Sequence, residues 1–482
     1  MLGNQVLSAQ SEFKGPAPLR ALIACVCAGV FLRAALCSLA GTPALQSDEA
    51  NYFYLAVQWK QLGYFPDSFR YLWPPAYAAY LRVCIELFGS HALDAARAGQ
   101  ILASASVGFT TGLIAWRVFG ARAAVIAAAL WAGYLPLAAH THLLWNEPIF
   151  LAFFLPGFYQ VLVCIREREI PHIDRRLVSG GVLLALALYV KEAATYLIPL
   201  LGLVLLFSGM PLREGLRRAS LLLGTVALCV LPWGLRNQQV YGAFIPLGSS
   251  LGENAFNGLN APYRNFDLIP IESKLDKAGK PPLSLRPYWT APPAGAEAWT
   301  RAEEIHSLPL RMSENTARGL AFARAHPAWL LRSRIQKVAD VLVPTSFLTR
   351  HLALDRYSGR IASKPWRPIV AWTSALQVAA LLVFGGAGLL GSQRPGPARR
   401  LIWTTALYFG ATVLLVSMSR FRIPLVPFLL AGIGGLFTCV PKTRGAWLRI
   451  LLWFSTLAFA WWLNAPVLAD VWKLVLSSGE AG

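Results

Sequence analysis

Apolar residues along this 482-residue chain come in long unbroken stretches rather than alternating with polar ones, and the stretches recur from end to end. Crossing a hydrocarbon core of about 30 Å takes roughly 20 residues of helix, and on that measure the pattern predicts about eleven spans. They lie near 21–40, 93–116, 122–140, 148–165, 177–190, 194–209, 216–233, 368–390, 401–418, 423–439 and 447–465. Hydrocarbon offers no partner to a backbone N–H or C=O, so a span must be a helix or a barrel strand, and continuous apolarity selects the helix. The expected fold class is therefore an all-α polytopic membrane protein. The first span exceeds the roughly 7–15 apolar residues of a signal-peptide core and reads as an uncleaved anchor. Arg33 inside it is either packed inward, snorkelling, or functional.

Two longer segments interrupt the spans, 41–92 and 234–367, giving an organisation of 1–233, 234–367 and 368–482. In the first, Ser47-Asp48-Glu49-Ala50 predicts a short helix from Asp48 to Leu62, with Ser47 as N-cap and acids in the first turn. In the second, the Pro-rich stretch Pro281 to Pro293 should be irregular. Glu297 to Val343 then reads as amphipathic helix lying on the membrane surface, broken near Pro309 and Pro327.

Only 14% of residues are charged and 56% are hydrophobic, well under the roughly 25% charge of soluble domains. The formal net charge of +20 does not imply nucleic acid, because the basic residues sit in short clusters between spans. Arg117 with Arg122, Arg166 to Arg176, Arg213 to Arg218, Arg394 to Arg400, and Lys442 to Arg449 all fall in loops of one parity. The positive-inside rule makes that side cytoplasmic and puts both long segments outside. The seven cysteines contain no CxxC pair, and most fall in spans, with Cys84 in a loop. They support neither a zinc site nor a disulfide framework.

The unusual polar residues collect at the opposite, external ends of the spans. They are Asp48 and Glu49, then His140, His142, Asn146 and Glu147, then Lys191 and Glu192, then Trp233, Arg236 and Asn237, and finally Arg420 and Arg422. Carboxylates, imidazoles and cations converging at a lipid interface suit chemistry on an amphiphile with a phosphate head group. Blander readings stand beside this one. The acids at 48–49 serve a helix dipole, Lys191-Glu192 forms a salt bridge in a turn, and Arg420 and Arg422 anchor the interface. His140 and His142 would need further ligands to hold a metal.

Four stretches, in order, resemble the GT-C glycosyltransferases, in particular the group of protein O-mannosyltransferases and aminoarabinose transferases (glycosyltransferase family 39-like). Ser47-Asp48-Glu49-Ala50-Asn51-Tyr52 is similar to the family's Asp-Glu motif in the first external loop, and Trp73-Pro74-Pro75-Ala76-Tyr77 to the Pro-Pro motif that opens that loop's second helix. Leu231-Pro232-Trp233-Gly234-Leu235-Arg236-Asn237, with Gly252-Glu253-Asn254 and Gly258-Leu259-Asn260, is similar to a Pro-Trp-x-x-Arg-Asn segment. Arg420-Phe421-Arg422-Ile423-Pro424-Leu425 resembles the late Arg-Tyr-Arg-Leu-Pro pattern. The resemblance implies the GT-C fold and a polyprenyl-phosphate-linked sugar donor. It also implies a lipid, glycan or protein acceptor, inversion by single displacement, and an inner membrane location with the site facing the periplasm.

By the same resemblance Asp48 is the base with Glu49 assisting, while Lys191, Arg236, Asn237, Arg420, Arg422, Asn254 and Asn260 bind substrate or phosphate. His140, His142 and Glu147 neighbour an acceptor or a metal; no cofactor is assigned, and a divalent metal is left open. One departure bears on the metal: aminoarabinose transferases carry Glu-Lys before the Pro-Pro pair, where this chain has Leu72-Trp73, leaving Arg70 as the nearest cation.

Competing classes are a flippase or exporter of lipid-linked sugar, a polysaccharide polymerase or ligase with a diphosphate-linked donor, and a membrane scaffold. A transporter commonly shows repeats and midplane binding residues on broken helices, neither of which the sequence displays. The topology is directly testable: in intact cells an impermeant thiol reagent is expected to label a cysteine placed at 270 but not one placed at 170. The reverse pattern would overturn the assignment.

Overall fold

In the computed structural model the described residues are 17–41, 44–45, 47–66, 72–166, 173–260, 267–283, 307–391, 396–438 and 441–477. They form helices joined by short turns. The helices are α1 (Ala17–Ala40), α2 (Asp48–Leu62), α3 (Pro75–Phe88), α4 (Ala92–Phe119), α5 (Ala121–Gly133), α6 (Leu135–His142), α7 (Glu147–Arg166), α8 (Ile173–Val190), α9 (Leu197–Leu206) and α10 (Leu212–Tyr241). After them come α11 (Ser250–Asn260), α12 (Ile269–Lys277), α13 (Leu308–Ala325), α14 (Pro327–Val341), α15 (Phe347–Ala353), α16 (Trp366–Ala380), α17 (Gly386–Gly391), α18 (Pro397–Thr412), α19 (Val426–Thr438) and α20 (Arg444–Ser477).

Every stretch read as a span falls on a helix. Among the described residues seven helical runs are long and apolar enough to cross a membrane, and an eighth if the bent pair α5–α6 counts as one. The remaining stretches are α8, which carries three charges at Asp174, Arg175 and Arg176, and the short α9 and α18.

The two ends of the bundle differ chemically. At one end, arginines donate to carbonyls at helix C-termini: Arg218 to Cys164 (2.6 Å), Arg400 to Phe207 (2.8 Å) and Arg449 to Leu390 (3.0 Å). These carbonyls have no partner within their own helices, and a cation there also opposes the negative end of the helix dipole. The basic loops expected on one side are thus brought together. The other end collects α2, α3 and α11 to α15.

Two local expectations are corrected. Ser47 does not cap α2; its side chain makes no capping bond and its φ is +54°. The break expected near Pro327 is present: α13 ends at Ala325 and Pro327 opens α14, a position where the missing N–H costs nothing, while Pro309 sits in the first turn of α13. Cys84 is not in a loop, since α3 runs through a 3₁₀ turn into α4 and buries it. The Pro-rich stretch beyond residue 283, and residues 297–306, lie outside the described residues.

Arg33 is packed inward. It lies 3.8 Å over the Trp131 ring and donates to the carbonyls of Gly29, Trp131 (3.0 Å) and Ala132 (3.3 Å). The last two end α5, where the chain bends by 54° into α6. Gln377 of α16 completes the repair, donating to Gly133 O (2.7 Å) and accepting from Leu135 N (2.8 Å). A break at this depth is tolerated because side chains replace the lost ladder bonds.

Helices α17 and α19 touch backbone to backbone: a Cβ at Gly388 would overlap the Gly432 carbonyl, and one at Gly432 would sit 2.5 Å from Gly385 O. Small residues at such crossings let dispersion act between whole helices, the main attraction available in lipid. Gly388→Val is therefore expected to destabilise by about 1–3 kcal/mol, visible as a lower melting midpoint in detergent. Gly224→Ala, with nothing within 4 Å of its would-be Cβ, should leave the midpoint equal or raise it. Equal effects of the two would refute the packing argument.

Candidate active site

The site is built on the first turn of α2. Asp48 and Glu49 are both there, but 100° of helical rotation separates them. Glu49, Tyr52 and Ala56 form the buried face, whereas the Asp48 side chain keeps 22% of its exposure. The buried face clamps the turn between α6 and α7: Leu144 N donates to Glu49 Oε1 (2.8 Å), and Asn146 Nδ2 donates to the Tyr52 hydroxyl (2.7 Å). From α4, Gln100 holds the same turn through the carbonyls of Thr141 (3.2 Å) and Leu143 (2.9 Å). Immediately before α2, Ser47 occupies a positive-φ conformation that costs a non-glycine residue of order 1–3 kcal/mol and is found mainly where function over-determines the backbone.

Two ion pairs meet around this turn. Arg420, between α18 and α19, donates Nη1 to Asp48 Oδ2 at 2.9 Å, lies 4.4 Å over the Trp145 ring, and keeps a buried Nε with no partner. Lys191, just past the end of α8, donates Nζ to Glu147 Oε1 at 2.5 Å. Glu147 is fully buried at the start of α7; its Oε2 has no hydrogen bond and lies 3.9 Å from His140 Nδ1. Tyr52 sits among all four charges. Burial pushes its phenol well above the ordinary range, Asp48 pushes it further, and Arg420 opposes them. Edge-on contacts with Trp73 (4.4 Å) and Tyr77 (4.9 Å) fix its ring.

The residues expected to act together separate into groups. Asp48, Glu147, Lys191 and Arg420 share one location, with Glu49 turned to the backbone behind it. Arg422, two residues from Arg420, is buried and donates to the carbonyls of Val341 (2.7 Å), Val343 (2.7 Å) and Thr345. Asn237 is likewise occupied, donating to Ile245 O (2.7 Å). The contacts described for Arg236 are Asn237 Oδ1 (3.2 Å), Phe65 O (3.4 Å) and the faces of Trp233 and Phe65. Asn254 and Asn260 lie on α11, and no described contact joins them to Asp48, Lys191 or Arg420; Asn260 is buried with Oδ1 unpartnered. His140 stacks on Phe347 (5.3 Å) with both ring nitrogens unpartnered, and His142 Nε2 is 3.2 Å from the Tyr357 hydroxyl. Arg70 and the side chain of Glu253 lie outside the described residues.

Sequence reasoning passed over Tyr52, Trp145, Asp267 and Arg350. Tyr52 carried a usable signal, falling three residues after Glu49 and so on the same helical face. Asp267 accepts from Ser419 N (2.6 Å) and from Arg350 (3.4 Å), a connection visible only in three dimensions. Among the described residues no three His, Cys, Asp or Glu side chains group together, and Asp48 and Glu147 each face a cation.

Residues 73–235 match the profile of the dolichyl-phosphate-mannose-protein mannosyltransferase family, a stretch that contains Lys191 and Glu147 but neither Asp48 nor Arg420. No curated protein sequence matches the chain. Among solved structures, the apo oligosaccharyltransferase of Archaeoglobus fulgidus superposes with a TM-score of 0.51 at 14% identity, covering 98% of this chain and 57% of that one. The same enzyme, AglB, in complex with an inhibitory peptide and a dolichol-phosphate gives 0.52 at 15% identity, over 96% and 56% of the two chains. The chain has the GT-C fold. This GT-C chain spans a little over half the length of the archaeal enzyme. In GT-C terms Asp48 leads the first helix of the first long connection between spans, and Arg420 enters from the late spans.

The Lys191–Glu147 pair yields a stability test. Lys191→Met strands a fully buried carboxylate, which costs about 3–5 kcal/mol, whereas the double variant Lys191→Met with Glu147→Leu should recover most of that loss in thermal melts. A single variant as stable as the parent would show that the pair is dispensable to the fold.

Proposed function

We propose that the chain is an integral membrane glycosyltransferase that moves a sugar from a polyprenyl-phosphate donor to an acceptor at the external, periplasmic face of the inner membrane. The observation that carries this reading is the Asp48–Arg420 pair. A partly exposed carboxylate sits 2.9 Å from a guanidinium that uses one donor on it and has a buried Nε to spare. A guanidinium has five N–H donors in a planar fork, so one arginine can orient a carboxylate and a phosphate oxygen together. The family profile over residues 73–235 and the dolichol-phosphate bound by AglB support a lipid-phosphate donor.

In the reaction, the acceptor hydroxyl or amine attacks the anomeric carbon, the new glycosidic bond forms, and the bond from carbon to phosphate oxygen breaks. Asp48 accepts the proton that the acceptor loses. Charge develops on the departing polyprenyl phosphate, and Arg420 with Lys191 stabilises it in a site shielded by Trp145 and Phe421. Lys191 turns from Glu147 toward the phosphate, while His140 lies beside the Glu147 oxygen that no hydrogen bond holds. One displacement inverts the anomeric centre. Arg422 and Asn237 act through the backbone they fix, and Glu49 through the turn it clamps.

Asp48→Asn preserves shape and an acceptor for Arg420 but removes the base. Transfer by the purified protein is expected to fall about 10²–10⁴-fold at unchanged yield and melting midpoint. Turnover within threefold of the parent, on the order of measurement scatter for such assays, would exclude the base role.

A further inference from the structure

The segment carrying Arg420 is mounted on the external helices more than on the spans it joins. Before Arg420, Lys337 of α14 donates to Leu415 O (2.8 Å), Ser417 Oγ donates back to Lys337 O (3.2 Å), and Ser419 N donates to Asp267 Oδ2 (2.6 Å). After it, Arg422 grips the carbonyls of Val341, Val343 and Thr345. Residues 415, 417, 419 and 422 thus face one way, and Arg420 faces the other way, toward Asp48 and Trp145.

Of these ties, the one at Ser419 is next in sequence to Arg420 and is the one made by a carboxylate. Asp267 also takes Arg350 of α15 at 3.4 Å, and Arg350 is buried close enough to Arg420 for the two like charges to repel. Asp267 therefore does two things at once: it fixes the backbone N–H beside Arg420, and it neutralises the second cation that would push Arg420 away.

We infer that Asp267 is the positioning residue for Arg420, so that the external helices α12 to α15 set the geometry of the phosphate site; this rests on the phosphate role proposed for Arg420. A buried acceptor of this kind transmits any displacement of the external helices to the guanidinium, and a shift of about 1 Å at such a group can cost 10²-fold.

The test uses the full chain in nanodiscs and undecaprenyl phosphate as probe. Asp267→Ala is expected to weaken binding about tenfold to a hundredfold, as Arg420→Ala does, with the double variant within about threefold of the worse single because both act on one contact. Pairing Arg350→Gln with Asp267→Asn removes both charges, keeps an acceptor for Ser419 N, and should restore affinity to within about threefold. Losses that multiply, or Asp267→Ala binding like the parent while Arg420→Ala does not, would overturn the inference. A geometric readout separates this outcome from failure of the phosphate reading: a bifunctional thiol reagent joining Asp48→Cys to Arg420→Cys, detected by mass spectrometry of the linked peptides. Asp267→Ala should cut the yield about threefold or more. If yield falls while no variant alters lipid binding, positioning stands and the phosphate role falls. Unchanged yield overturns positioning whatever the binding shows.

Discussion

Charge cannot be left unsolvated where a helix bundle meets hydrocarbon, and the contact between Asp48 and Arg420 is where this chain meets that constraint most directly. The two residues are 372 positions apart, and their pairing ties the connection after the first span to the connection between two of the last. Around them every buried charge is matched by an opposite charge or by a backbone dipole. Lys191 takes Glu147, Glu49 takes an N–H, and Arg422 takes three carbonyls. Buried atoms without a hydrogen-bond partner here include one oxygen of Glu147, the nitrogens of His140, Trp145 Nε1 and the Nε of Arg420, and others lie elsewhere among the described residues, at Arg33, Asn260 and Gln336 for example. Those beside the Asp48–Arg420 contact leave hydrogen-bonding capacity for a polar ligand.

Much of the architecture is legible in the sequence because lipid imposes so strict a code. The helix Asp48–Leu62 reads from its bounds, since acids at its start and a glycine after its end are the signals that dipole and αL termination require. The roles within the site are less legible. Arg420 and Arg422 look alike in sequence, and only the 3₁₀ run from Ser419 to Leu425 decides that one faces the acid and the other the backbone. Glu147 and Lys191 are each visible as polar residues at span ends, but their pairing depends on how α7 and α8 pack. The Ser47 assignment failed for an instructive reason. A serine before an acidic helix start is ordinarily a cap, and here the chain adopts a conformation in which the hydroxyl cannot reach the first turn.

Helices α12 to α15 would look like an accessory layer if only their apolar faces were considered. Their polar atoms say otherwise. Lys337, deep in the contact between α14 and the 415–417 segment, has its ammonium pushed down to about 7 by burial, then by Arg334. Placing a lysine there to hold one carbonyl is expensive, and the expense makes sense if the position of the neighbouring segment matters more than the stability lost.

The bend between α5 and α6 also bears on biogenesis. Arg33 finds its carbonyl partners 98 and 99 residues further along the chain. Until α5 has been made, its guanidinium lacks those two carbonyls, and on insertion scales a central arginine costs about 2.5–3.5 kcal/mol. The rest of α1 is apolar enough to carry that cost, but the helix reaches its final depth and rotation only when α5 arrives with Trp131 and its exposed carbonyls. An earlier span is thus finished only when a later one arrives, and its arginine's hydrogen bonds at the break are what complete it.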